Sequence, residues 1–384
     1  MDKELLAAGE RIRSRMPSEM SQRTLADLAG MKPDALSRAL NGQRGFSSVE
    51  LARIADVLGV ELYWLVTGER DPQRVRIAAR HSWDVDRGVR ANPGRARDEA
   101  LLEQVAATYN AAFPAGPPPS RQLPESPADL RAELGEDFVE SFGEVVETRL
   151  GVDVIRLPRI TTSYSLTIGT RGIVMLATTS NWFWSNWSLA HELAHLALGH
   201  HGGSAEPGER DERPADDYAA QLLLPERLVE QEDWHEMDES GLARFLWRTG
   251  VSTKALKKRL AVLRIQPSTE VASALKQSTP TLIRAHATGD RMIGDRTYVT
   301  LRQQASSARE LPSLLVEALQ RRVEQGAISP EYLAWALDVP VDEIDFPELE
   351  DADESTAFYQ QALERRPSRT ALEDWLSTNG LPAQ

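Results

Sequence analysis

The chain of 384 residues contains no cysteine. That absence excludes disulfides, thiolate nucleophiles, iron–sulfur clusters and cysteine-held zinc, so any metal must rest on imidazole and carboxylate. Apolar runs of membrane-spanning length are also missing, and the start at Met1 opens on charges and an amphipathic pattern rather than on a signal peptide. No membrane partner and a cytoplasmic location are therefore expected. Basic residues are in the minority, 44 Lys and Arg against 58 Asp and Glu, for a net charge of −14. A chain coated for nucleic acid is excluded by that balance. The deficit is uneven, however, with about +2 over residues 1–100 and about −16 over the rest. Any DNA contact must therefore be made by the N-terminal part. Asp342–Glu354 holds eight carboxylates and no basic residue, and reads as a solvated face or linker.

Against those absences stands His191-Glu192-Leu193-Ala194-His195, the pattern H-E-x-x-H. It lies inside the apolar run Ser188–Leu198, which reads as a buried helix. Residues four apart share a helix face, so both imidazoles can reach one ion, and Glu192 is angularly close enough to meet a water on it. This is the arrangement of zinc peptidases. A catalytic zinc needs a third protein ligand, and the candidates are His200, His201 and the acids that follow. Glu212 and Asp216 lie four apart at the start of an amphipathic stretch ending Leu222-Leu223-Leu224-Pro225. Glu212 can ligate while Asp216 receives the second N–H of a ligand imidazole, and the opposite assignment of the two acids stays open. Pro214 is tolerated if it falls in the first turn. His200 and His201 read as loop residues without chemistry, and Trp182, Trp184 and Trp187 as core aromatics. Tyr164 and Tyr218 are candidates for stabilising an oxyanion.

Residues 1–70 read as five short helices, with Ser21 and Ser47 or Ser48 as caps, Pro33 opening the third helix and Asn41-Gly42 closing it. Residues 71–127 read as a connector holding one helix over 98–111, followed by a linker or mobile loop with six prolines between Pro114 and Pro127. Residues 128–265 form the next domain, with a helix over Phe138–Leu150 and strands at Val152–Leu157, Ser163–Ile168 and Gly172–Ala177. Residues 266–384 read as a C-terminal, mainly helical region, with helical spacing at Leu311–Val323, Pro330–Leu337 and Ala371–Leu376.

The stretch His191–His201 followed by Glu212–Pro225 resembles the ImmA/IrrE family of bacterial metallopeptidases, whose second motif is E-x-x-A-D-x-F-A-A-x-L-L-x-P; Tyr218 stands here where Phe is common. The resemblance implies His191, His195 and Glu212 as metal ligands, Glu192 as general base, Zn2+ as cofactor with Mn2+ as the alternative, and an α+β zincin-like core. The N-terminal region is similar to Xre/Cro-type helix-turn-helix domains through Gly9–Arg13, Ser21-Gln22, Leu36–Gly42 and Trp64–Glu69. That likeness places the segment Pro33–Leu40 in the DNA major groove, with Gln22, Lys32, Asp34, Ser37, Arg38, Asn41 and Arg44 as contact candidates. Paired half-sites would make the protein a homodimer. The fold expected is thus multidomain and mainly α, with five N-terminal helices, the α+β peptidase core and a helical C-terminal region. The function expected is a DNA-binding regulator whose zinc endopeptidase domain cleaves a repressor or antitoxin in a stress or mobile-element response. The alternatives are a transcription factor with a non-catalytic sensing domain and a toxin–antitoxin component.

Overall fold

Local signals set the first seventy residues. The computed structural model describes residues 3–17, 19–69, 71, 75–79, 82–84, 89–91, 94–201, 209–286 and 296–344. Helices α1 (Lys3–Arg15), α2 (Gln22–Leu28), α3 (Pro33–Leu40), α4 (Ser48–Leu58) and α5 (Leu62–Thr67) follow one another as expected. Ser21 accepts from the Thr24 N–H at the start of α2, and Ser47 and Glu50 form a reciprocal capping box on α4. Ile12, Leu25, Leu36, Leu40, Ile54 and Leu65 are wholly buried between the five helices. A Cβ on Gly9 would stand 2.4 Å from the Leu40 carbonyl oxygen, so only glycine lets α1 lie this close to α3.

A four-stranded sheet with order β1-β5-β6-β4 organises the middle of the chain. Its strands are β1 (Val75–Ala79), β4 (Asp153–Leu157), β5 (Tyr164–Ile168) and β6 (Arg171–Ala177); β2 (Ser82–Asp84) and β3 (Val89–Ala91) form a separate ribbon. β5 and β6 are the expected hairpin, β4 runs parallel to β6, and β1 pairs antiparallel with β5 from Val75 opposite Ile168 to Ala79 opposite Tyr164. Between these strands come α6 (Arg95–Ala112), α7 (Pro127–Leu134) and a composite helical stretch. Its parts are a 310 turn Phe138–Ser141, α8 (Phe142–Val145) and a π turn Val146–Leu150, where a single helix was expected. Then follow α9 (Trp182–Ala197), α10 (Glu209–Leu223), α11 (Glu226–Glu230), α12 (Glu239–Thr249), α13 (Thr253–Val262), α14 (Thr269–Ala274), α15 (Thr279–His286) and α16 (Arg296–Ser307).

Residues 71–127 differ most from expectation. They supply the edge strand β1 and a helix, α6, that is bonded into the sheet rather than lying outside it. Wholly buried Asp98 accepts from the Thr161 N–H and hydroxyl and from the Tyr164 hydroxyl. At the other end of α6 the Tyr109 hydroxyl donates to Asp153, which also takes both arms of Arg171. The proline-rich stretch is pinned too: the Ser120 hydroxyl donates to Gly151 O and accepts from the Gly172 N–H, and the Arg121 N–H reaches Leu150 O. Proline removes helical options, but it leaves these neighbouring donors and acceptors free to bond across.

The 265/266 boundary also cuts through packed structure, because Val271, Leu282, Ile283 and Val299 share one core with Leu193, Leu222 and Leu246. Arg156 and Glu310 exchange both backbone hydrogen bonds and pair through their side chains. The chain divides into two compact units, Met1–Ala318 and Leu319–Gln384. Helix α17 (Ser313–Glu324) runs across that division, and α18 (Glu331–Leu337) buries Leu333, Ala334 and Ala336 in the second unit. The helix expected over Ala371–Leu376 and the acidic run beyond residue 344 lie outside the described residues. Among the described residues no helix is long and apolar enough to cross a membrane.

Candidate metal centre

Helix α9 carries no internal Gly or Pro, and Asn181 caps its start by accepting from the Trp184 N–H. It packs along α10, and both helices bury alanines, Ala190 and Ala194 on one and Ala215 and Ala219 on the other. Small side chains let the two axes approach, which brings Glu212 of α10 to the face carrying His191 and His195. All three side chains are wholly buried. Helix α10 begins at Glu209, so Pro214 falls in the second turn rather than the first. Its missing N–H leaves the carbonyl of Arg210, an exposed residue, to water.

His191 Nε2 stands 3.2 Å from His195 Nε2 and 3.3 Å from Glu212 Oε2, and His195 Nε2 stands 3.8 Å from Glu212 Oε1. Tetrahedral coordination with bonds near 2.0–2.1 Å requires ligand atoms roughly 3.3 Å apart, so this triangle has the right size for a zinc-like ion. Imidazole must be neutral to ligate, and burial, then the neighbouring His191, holds His195 far below its usual pKa. Two imidazoles facing each other through Nε2, with a buried carboxylate beside them, form a donor set that suits a cation. Asp216 is elsewhere: its Oδ1 lies 3.1 Å from His191 Nδ1, the ring atom turned away from the triangle. Glu192, wholly buried, follows His191 at about 100° around the helix.

Residues 144–261 match the model of the IrrE N-terminal-like domain of M78 peptidases, and residues 13–65 match that of the helix-turn-helix family. The chain joins a helix-turn-helix domain to an IrrE N-terminal-like domain. No curated protein and no solved structure matches it. Within the IrrE-like domain, both tyrosines considered for an oxyanion are committed elsewhere. Tyr164 donates to Asp98, and Tyr218 donates to Pro124 O at 2.8 Å. Trp182 is core, as expected, whereas Trp184 and Trp187 are half-buried, and Trp187 lines a groove with Asp216, Gln221, Lys258 and Arg259. His200, expected to be a plain loop residue, lies with its Nδ1 2.8 Å from His195 Nδ1. Its position just past the helix end was the sequence signal. His201 is buried, and burial lowers its pKa to about 4.

On the helix-turn-helix domain, Gln22, Lys32, Asp34, Arg38 and Asn41 are exposed and Ser37 is half-buried, all on α2, α3 or their caps. Arg38 and Asp34 pair across one turn at 3.2 Å, and Asn41 accepts from Arg13. Arg44 is turned inward. It donates to the carbonyls of Ala35 and Gly45 and to both oxygens of Glu50, so its first task is to hold the α3–α4 turn.

Proposed function

We propose that this protein is a cytoplasmic DNA-binding regulator whose IrrE-like domain is a zinc-dependent endopeptidase. The observation that carries the reading is the buried triangle of His191, His195 and Glu212 at tetrahedral spacing. His191, His195 and Glu212 hold the ion, zinc before manganese, and Asp216 accepts the His191 Nδ1–H so that Nε2 faces inward. The ion when bound supplies Lewis acidity, polarising the scissile carbonyl and acidifying water. Glu192 takes the proton of the attacking water and delivers it to the leaving amine nitrogen. The substrate is a repressor or antitoxin, and the helix-turn-helix domain, as a homodimer on paired half-sites, keeps the peptidase near DNA-bound targets.

Coexpression of the chain and its Glu192→Gln form with the proteins encoded beside it tests this. A fragment formed only with the wild type is expected, with equal metal content in both forms. Equal cleavage by Glu192→Gln would remove Glu192 from its role. The complete burial of His191, Glu192, His195 and Glu212 favours a second reading, in which the domain senses a ligand or partner without cutting. A purified protein that binds its operator, carries no divalent ion and cleaves nothing would establish that reading instead.

A further inference from the structure

Helix α9 ends in a Schellman arrangement. Gly199 takes a φ of 70°, its N–H returns to Leu196 O at 3.3 Å, and the His200 N–H returns to His195 O at 3.1 Å. In this motif the residue after the left-handed position lays its side chain back on the last full turn of the helix. That contact is usually apolar. Here it joins two imidazoles, with Nδ1 atoms 2.8 Å apart, ring centroids 4.9 Å apart and planes at 68°.

His195 points Nε2 at His191 and Glu212. A neutral imidazole that offers the Nε2 lone pair carries its proton on Nδ1, and that buried N–H requires an acceptor. His200 Nδ1 stands at hydrogen-bond distance, so His200 holds its own proton on Nε2. The Nε2 faces Asp211 Oδ1 at 3.9 Å, too far for a hydrogen bond but close enough for the carboxylate charge to favour that tautomer.

We propose that His200 is a positioning residue for His195: it accepts the Nδ1–H and fixes the tautomer and ring plane that turn Nε2 toward the ion. The inference rests on the reading of His191, His195 and Glu212 as ligands. It makes the two ligand imidazoles unequal. His191 is backed by the carboxylate of Asp216 and His195 by an imidazole, so the two ligand rings are held by acceptors of different kinds.

The test uses the full chain as wild type, His200→Ala, His200→Asn and His195→Ala. Zinc affinity is measured by competition with a chromophoric chelator, and the visible spectrum of the Co2+-loaded protein reports ligand geometry. Asparagine places an oxygen acceptor near where the histidine Nδ1 stands. His200→Ala is expected to weaken zinc binding about 10–100-fold and to change the Co2+ bands, with His200→Asn recovering most of both. His195→Ala is expected to lose the metal. Wild-type affinity and spectrum in His200→Ala, beside metal loss in His195→Ala, would overturn the role of His200 and leave the ligand set standing. Equal losses in His200→Ala and His200→Asn would also overturn it. Full metal binding by His195→Ala would instead overturn the ligand reading.

Discussion

Replacing Asp98 tests whether α6 belongs to the IrrE-like fold. The carboxylate is wholly buried and receives three hydrogen bonds: the Thr161 N–H at 3.0 Å, the Thr161 hydroxyl at 2.6 Å and the Tyr164 hydroxyl at 2.7 Å. Tyr164 is itself wholly buried. The approach is close, since a Cβ on Gly94 would stand 1.7 Å from Thr161 Oγ1. Asp98→Ala leaves three donors facing a void in place of an anion. Each stranded buried donor costs about 1–3 kcal/mol, and water entering the void recovers part of that, which gives a loss of about 3–5 kcal/mol. Asp98→Asn keeps one acceptor oxygen but turns an amide donor toward other donors, so it should lose about half as much. Urea denaturation followed through the buried Trp182, Trp234 and Trp247 reads the change directly. Zinc affinity should fall with stability, because α9, which carries His191 and His195, packs on β5, where Tyr164 bonds Asp98. Unchanged midpoints and slopes for both variants would refute the reasoning and return α6 to the status of a connector.

Three further outcomes follow from the same structure. Burial, reinforced by the charge of Asp153 and opposed by the Val154 N–H, raises Glu147 to about 7. Its stability contribution is therefore complete below the unfolded value near 4.5 and lost as pH rises through 7, a fall of at most about 3 kcal/mol. Glu147→Gln keeps an acceptor for Val154, so its urea midpoint should not take part in that fall; identical pH slopes in the two proteins would sink the assignment. Asp216→Asn should weaken zinc binding by roughly tenfold while leaving the fold intact, because only the charge behind His191 is lost; unchanged affinity in a chelator competition would contradict this. Arg44→Ala should destabilise the helix-turn-helix domain by about 1 kcal/mol, whereas Arg38→Ala, whose surface pair with Asp34 contributes little, should weaken operator binding about tenfold at unchanged melting temperature. Gel-shift and melting measurements on both variants check the contrast, and its reversal would exchange the two roles.

What was legible in the sequence was local. H-E-x-x-H brings two imidazoles to one helix face by spacing alone, and the caps Ser21 and Ser47 mark helix starts because their oxygens bond N–H groups three residues away. Placing Glu212 in the triangle and Asp216 behind His191 needed the packing of α10 on α9, which the sequence carries only as two amphipathic patterns. Strand β1 was missed for a physical reason. Val75-Arg76-Ile77-Ala78-Ala79 is short and mixed, too brief to show a period of two, and only its pairing with β5 identifies it as a strand. Asp98 and Tyr109 read as ordinary helix residues until β4 and β5 supply their partners.

The position of β1 alters how the two domains connect. A flexible linker would let the helix-turn-helix domain and the IrrE-like domain act as independent bodies that share only effective concentration. Instead the chain leaves α5 at Thr67 and enters the sheet at Val75, and Arg76 of β1 pairs with Glu61, the residue that caps α5. β1 lies on β5, and β5 and β6 both touch α9, the helix that carries His191 and His195. A displacement of the DNA-reading helices must therefore either break the Arg76–Glu61 pair or move the edge strand. The pair is largely shielded from solvent, its side chains 26% and 16% exposed, and five residues of paired backbone hold the strand on β5. Among the described residues, the Arg76–Glu61 pair and the β1–β5 ladder form a continuous route from α5 to the helix that carries His191 and His195.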